Sequence, residues 1–190
     1  MSSLPKFASE DHRAMLALAR EAIVSALVQR PLKHAVREPA SFSERRGVFV
    51  TLEVHGKLRG CIGVIEAHDP LRESIVHCAR SAAFHDPRFT SLRAAELEGL
   101  QIEISVLSPL SAIDPEQIEV GVHGLVVTAA ERRGLLLPQV ATEHNLTREE
   151  FLQETCWKAG LSRDAWQQPQ TSIYAFTCEV FRENSRSASA

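Results

Sequence analysis

Arg59 and Cys61 stand two residues apart in Lys57-Leu58-Arg59-Gly60-Cys61-Ile62-Gly63-Val64, a stretch that combines a nucleophilic thiol, a fixed positive charge and two glycines. A free thiol ordinarily ionises near pH ~8.5, and a neighbouring cation is the simplest way to raise its thiolate fraction. Side chains two apart on a strand begin roughly 6.5 Å from one another. At that distance a unit charge contributes about 0.6 kcal/mol in water and about 2.5 kcal/mol at an effective dielectric of 20. Arg59 therefore activates Cys61 only if the pair is half-buried. The same residues read equally as one wall of a binding site, with Arg59 donating charge-assisted hydrogen bonds to a small anion and Cys61 serving as a small apolar side chain.

A second group of chemically able residues lies in Ala83-Phe84-His85-Asp86-Pro87-Arg88-Phe89, where an imidazole, a carboxylate and a guanidinium sit between aromatic anchors. A third is His123, set between Gly121 and Gly124. Two assignments follow. In the catalytic one, Cys61 is a nucleophile or carrier, Arg59 favours its thiolate, and His85 or His123 accepts the proton. In the binding one, Arg59, Gly60, Gly63, Asp86, Arg88 and His123 line a ligand site. No metal or cofactor is implied: Cys61, Cys78, Cys156 and Cys178 never form Cys-x-x-Cys, the histidines never show His-x-x-x-His spacing, and no glycine-rich phosphate loop follows a strand.

These residues need elements to position them. Val48–Val54 and Lys57–Val64 read as a β-hairpin turning at His55-Gly56. Period two then puts Leu58, Gly60, Ile62 and Val64 on one face, with Arg59, Cys61 and Gly63 on the other, so Arg59 and Cys61 point the same way and Gly63 clears space beside the thiol. Ser9 is a suitable N-cap for a helix over 10–29, which Pro31 ends. Residues 31–46 read as a long loop, a connection or a lid. Asp69-Pro70 opens a second helix with Pro70 at its first position and Leu71, Ile75, Cys78, Ala79 and Ala82 inward.

Beyond the 83–89 turn, a short helix is expected over 92–98 and an alternating strand over 100–108. A helical turn over 114–118 and a strand pair over 121–128 and 134–138, joined by a 130–133 turn, come next. Leu135 to Val140 reads as buried, with Gln139 needing an internal partner. Thr147 and Glu150 form a capping-box pattern before a helix that ends near Gly160. A last strand over 173–181 would put Tyr174, Phe176, Cys178 and Val180 on one face. Cys78, Cys156 and Cys178 are expected in the core.

At 190 residues, 44% hydrophobic and 24% charged, the chain is long enough for one well-filled domain or a domain with a small appended lobe. A formal charge of -3 argues against a broad nucleic-acid footprint. No 18-residue uncharged run and no signal-peptide pattern occur, so the expectation is a cytoplasmic protein with free thiols and no membrane span. Strands and helices mix without a βαβ repeat, which predicts an α+β fold with a mainly antiparallel sheet and flanking helices.

Six motifs, taken in order, resemble the AMMECR family, known in prokaryotes as AmmeMemoRadiSam system protein A. They are Leu58-Arg-Gly-Cys-Ile-Gly63, Ala83-Phe-His-Asp-Pro-Arg-Phe89, Glu103-Ile-Ser-Val-Leu-Ser-Pro109, Gly121-Val-His-Gly-Leu125, Gly134-Leu-Leu-Leu-Pro-Gln-Val140 and Cys156-Trp-Lys-Ala-Gly160. The first is the family's hallmark, and the likeness runs over about residues 10–182. It implies one domain over 1–183 with a larger and a smaller lobe and a cleft near the hallmark strand; the Ser/Ala-rich tail, 184–190, is expected to be disordered. It also implies a setting shared with a Memo-like protein and a radical SAM protein, and carries Arg59 and Cys61 over as the family's candidate site. It supplies no activity.

Overall fold

The computed structural model describes residues 7–33, 38–66 and 68–183. The expectation of a disordered tail over 184–190 lies outside the described residues, as does part of the 31–46 loop. Four helices and two four-stranded antiparallel sheets among the described residues make an α+β fold, divided into two compact units. Among the described residues no helix is long and apolar enough to cross a membrane.

The first unit takes the described residues up to Val106 and from Glu179 on. Its sheet has the order β2-β1-β3-β8, with β1 at Val48–Val54, β2 at Lys57–Val64, β3 at Leu100–Leu107 and β8 at Cys178–Arg182. Alternation decides what it buries: Val48, Val50 and Leu52 of β1 and Ile102, Ile104 and Val106 of β3 all enter one core. Helices α1, Ser9–Leu27, and α2, Leu71–Phe84, supply the opposing side chains, among them Met15, Ala19, Ile23, Leu71, Ile75 and Cys78.

Helix α1 is capped by Ala8, not Ser9, and the Asp11 carboxylate accepts the Ala8 N–H at 3.2 Å. It stops at Leu27 because Gln29 turns left-handed, with φ 50°, and the Arg30 N–H returns to the Ser25 carbonyl at 2.9 Å. Pro70 is the N-cap of α2, one position before the expected place. The described part of the 31–46 loop is tied down. Phe42 is buried in a 3-10 turn, the Ser41 hydroxyl donates to Asp11, and Glu44 C=O accepts the Leu71 N–H.

The second unit, Leu107–Cys178, holds a sheet of order β4-β7-β5-β6. Its strands are β4, Ser111–Ala112, β5, Gly124–Ala129, β6, Arg132–Leu136, and β7, Ser172–Phe176. The β5–β6 turn is two residues, with Ala130 at φ 52°, and so is tighter than expected. Helix α3, Pro138–Glu143, leaves Gln139 half-exposed and therefore without need of an internal partner. Helix α4, Arg148–Lys158, begins with the expected Thr147–Glu150 capping box and contributes Phe151, Leu152 and Cys156 to a core with Leu125, Val127 and Ile173.

The expected single strand over 173–181 is two strands in two sheets. It breaks at Thr177, whose C=O accepts from the Ser108 N–H and whose N–H donates to the Ser108 hydroxyl, each at 2.9 Å. Period two is therefore lost across the break: Phe176 is buried, Cys178 half-buried and Val180 46% exposed. Cys78 and Cys156 are fully buried as expected, and burial pushes the Cys78 thiol up to about 12.

Candidate functional site

The hairpin turn holds His55 at φ 52° and Gly56 at φ 73°, the pair of left-handed conformations that a two-residue turn of this twist requires. Val54 faces Lys57 and Glu53 faces Leu58, but Leu52 faces Gly60. Arg59 is the extra residue of a β-bulge. Beyond it the register moves by one, so Thr51 faces Cys61 and Phe49 faces Gly63. The bulge corrects the simple alternation. Leu58 shares a face with Glu53 and is 46% exposed, whereas Gly60, Ile62 and Val64 lie opposite the core residues Leu52, Val50 and Val48.

Each glycine of the hallmark has a local reason. A Cβ on Gly60 would lie 2.1 Å from the Ala82 carbonyl oxygen, so α2 packs its backbone directly on the strand. A Cβ on Gly63 would lie 2.2 Å from the Phe49 ring, which covers that residue across the hairpin. The space expected beside Cys61 is thus filled by an aromatic ring.

Strand β2 is an edge, and its outward backbone groups need partners other than a strand. At Cys61 the turn after α2 provides them. Asp86 and Pro87 are favoured first and second turn residues, and the Phe89 N–H closes on the Asp86 carbonyl at 3.1 Å. Asp86 Oδ2 accepts the Cys61 N–H at 2.9 Å, and Arg88 Nη2 donates to the Cys61 carbonyl at 3.2 Å.

The Asp86 side chain, 1% exposed, also accepts from Arg88 N–H at 3.1 Å, Nε at 3.0 Å and Nη2 at 2.7 Å. Those guanidinium bonds above all, then the Cys61 and Arg88 N–H groups, hold its carboxyl well below the usual carboxylate range against the opposing effect of burial. Arg88 is raised in turn, chiefly by its bonds to Asp86, with the Cys61 sulfur among the smaller contributors.

Arg59 is engaged elsewhere. Its Nε donates to Glu96 Oε1 at 2.7 Å, and its Nη2 donates to Glu96 Oε2 and to the Ser91 carbonyl, each at 3.3 Å. Its side chain is 14% exposed, and Nη1 is buried without a hydrogen-bond partner among the described residues. The Phe89 ring lies against both cations, 5.9 Å from Arg59 Cζ and 5.5 Å from Arg88 Cζ. Cys61 is half-buried, and its sulfur accepts from Thr51 Oγ1 at 3.3 Å.

The strand and the 83–89 turn thus bring together Arg59, Gly60, Cys61, Asp86 and Arg88. His85 ends α2 on its exposed side, where it lines a groove of about 560 Å³ with Glu73, His77 and Ser81; neither Cys61 nor Arg59 lines that groove. Among the described residues the only hydrogen bond to the Cys61 sulfur is from Thr51, so no imidazole holds it. His123 belongs to the second unit, is only 9% exposed, and uses Nδ1 to accept the Glu119 N–H at 3.1 Å. No group of three possible metal ligands occurs among the described residues.

Sequence reasoning missed Glu96 and Thr51. Glu96 is 37 residues from Arg59 and carries no local signal. Thr51 is a matter of register: counting back from the His55-Gly56 turn pairs it with Gly60, and only the bulge moves it to Cys61.

The AMMECR1 family model matches residues 16–181. A protein of Methanothermobacter thermautotrophicus is 43% identical over 183 residues, covering 92% of this chain and 95% of its own. One from Aquifex aeolicus is 39% identical over 181 residues, covering 91% and 93%. The crystal structure of the uncharacterized protein PH0010 from Pyrococcus horikoshii matches with a TM-score of 0.85 at 39% identity, covering 94% of each chain.

Proposed function

The chain belongs to the AMMECR1 family, and from that premise we propose that it is a binding or scaffold protein, not a catalyst, of an AmmeMemoRadiSam system that also contains Memo-like and radical SAM proteins. Its recognition surface is the Leu58–Gly63 stretch with the adjoining Asp86–Phe89 turn, and its ligand is a small anion or an anionic group of a partner. One observation carries this reading: the groups that would activate Cys61 are committed elsewhere. Arg59 is held by Glu96, Asp86 and Arg88 hold each other and the Cys61 backbone, and no imidazole among the described residues hydrogen-bonds to the sulfur. What remains available is recognition chemistry, an Arg88 side chain that is 54% exposed and a half-buried strand edge.

A second reading, a cysteine-dependent reaction at Cys61, draws on the Thr51 hydroxyl at the sulfur and on Arg88 as the nearby cation. Native mass spectrometry of the protein as purified separates the two. Binding predicts a small-molecule mass that dissociates on denaturation, persists in Cys61→Ala and is lost in Arg59→Ala. A mass that survives denaturation and disappears in Cys61→Ala would favour the reactive thiol. Equal, small effects of both substitutions on a bound mass would count against both.

A further inference from the structure

We infer that Glu96 is a built-in stand-in for the ligand of Arg59, and that this ligand presents a carboxylate, either a free chain terminus or a small organic acid. The inference rests on the binding reading above and adds what is bound and what it displaces. A guanidinium offers a carboxylate two parallel donors, and Glu96 occupies the Nε–Nη2 edge of Arg59 in that manner, at 2.7 and 3.3 Å. An external carboxylate takes the same edge by replacing it.

Three features distinguish this pair from a permanent tie. Both ends sit on irregular backbone: Arg59 is the extra residue of a bulge on an edge strand, and Glu96 closes a three-residue 3-10 turn in a largely exposed stretch. Glu96 also has partners to keep on release, because its Oε2 accepts the Arg93 N–H at 2.8 Å and lies 3.9 Å from the Arg93 guanidinium, which is 85% exposed. Finally, the latched arginine is one donor short, with Nη1 buried and unpartnered among the described residues. Swapping one carboxylate for another on the Nε–Nη2 edge leaves that donor unmet, so it favours a ligand that brings a second acceptor beside its carboxylate, as the carbonyl next to a chain terminus does. The Asp86–Arg88 pair shows the contrast, with a carboxylate 1% exposed and accepting from four donors. The Phe89 ring, against the Arg59 guanidinium, keeps that plane in place as Glu96 leaves.

An internal competitor raises the apparent Kd by the ratio of latched to open protein. The test follows the arginine Nε–Hε resonances of the full chain by NMR during titration with acetate, with a short peptide carrying a free or an amidated C-terminus, and with inorganic phosphate. Glu96→Gln is expected to tighten acetate or free-terminus peptide about tenfold or more over wild type, with the Arg59 signal moving and Arg59→Lys abolishing the gain. Tightening of acetate alone assigns a small acid; a larger gain for the free than for the amidated peptide assigns a chain terminus. If Glu96→Gln does not fold, Glu96→Asp, which shortens the arm and keeps the charge, is expected to give a smaller gain in the same direction. Carboxylate binding that needs Arg59 but is no tighter in the Glu96 variants would overturn the stand-in and leave the binding reading intact. If no probe moved the Arg59 signal in any folded variant, the anion-binding reading would fall as well.

Discussion

Asp86 gives its carboxylate to both the Cys61 backbone and Arg88, so its removal should be felt at the strand and at the turn together. Asp86→Asn leaves the buried N–H groups with a weaker acceptor and is expected to cost about 2–3 kcal/mol, read as a lower urea midpoint with unchanged m-value. Because the folded carboxyl ionises below the ordinary 3.8, its contribution is complete above about pH 4 and is lost as pH falls through the folded value. Wild-type stability should therefore drop below pH 4 more steeply than that of Asp86→Asn. The thiols give a second residue-scale test. Cys61 and Cys178 are half-buried, Cys78 and Cys156 buried, so a disulfide reagent should modify the first two in the native protein and the others only on unfolding. Residue type alone was enough to single out Arg59, Cys61, Asp86 and Arg88. It could not assign their partners, since Glu96 and Thr51 reach them by long-range packing and by register.

The hairpin bounds, Val48–Val54 and Lys57–Val64, agree with the pattern of apolar residues around His55-Gly56, because turn chemistry and alternation act within a few residues. The bulge at Arg59 does not announce itself in that pattern. It follows from α2, whose backbone needs Gly60 beneath Ala82. Gly60→Ala should therefore be the costlier substitution, about 2–3 kcal/mol, since its Cβ meets helix backbone at 2.1 Å. Gly63→Ala meets the half-buried Phe49 ring, whose Cγ must swing away about the Cα–Cβ bond, and is expected to cost about 1–2 kcal/mol. Chemical denaturation of the two variants compares them directly; equal costs would mean that the helix yields as readily as the ring. The last strand repeats the lesson in reverse. Its alternation reads as continuous, yet Ser108 takes both backbone groups of Thr177 and divides it between two sheets.

The first unit is completed by β8 and Glu183. Phe181 of β8 stacks on His12 at 4.1 Å, Glu179 accepts from His12 Nε2 at 2.8 Å, and Glu183 accepts from Arg20 Nε at 2.6 Å and from the Ile102 N–H at 3.1 Å. A chain ending at Thr177 should lose hydrogen-exchange protection in α1, β1 and β3 while keeping it in β5 and β6, which belong to a unit continuous in sequence. Uniform loss in both units would refute that division. By itself the sequence determined the α+β class, α1, α2 and α4 to within a few residues, the hairpin, and the burial of Cys78 and Cys156, and it nominated Arg59, Cys61, Asp86 and Arg88 as candidates, because periodicity, capping and turn preferences are local; α3, where a strand was expected to end at Pro138, was not legible. Only the tertiary structure decided that Arg59 meets Glu96, 37 residues away, and that Asp86 meets the Cys61 backbone, 25 residues away. Those pairings depend on where α2 comes to rest against an edge strand, a position set by packing between distant segments that no short pattern encodes.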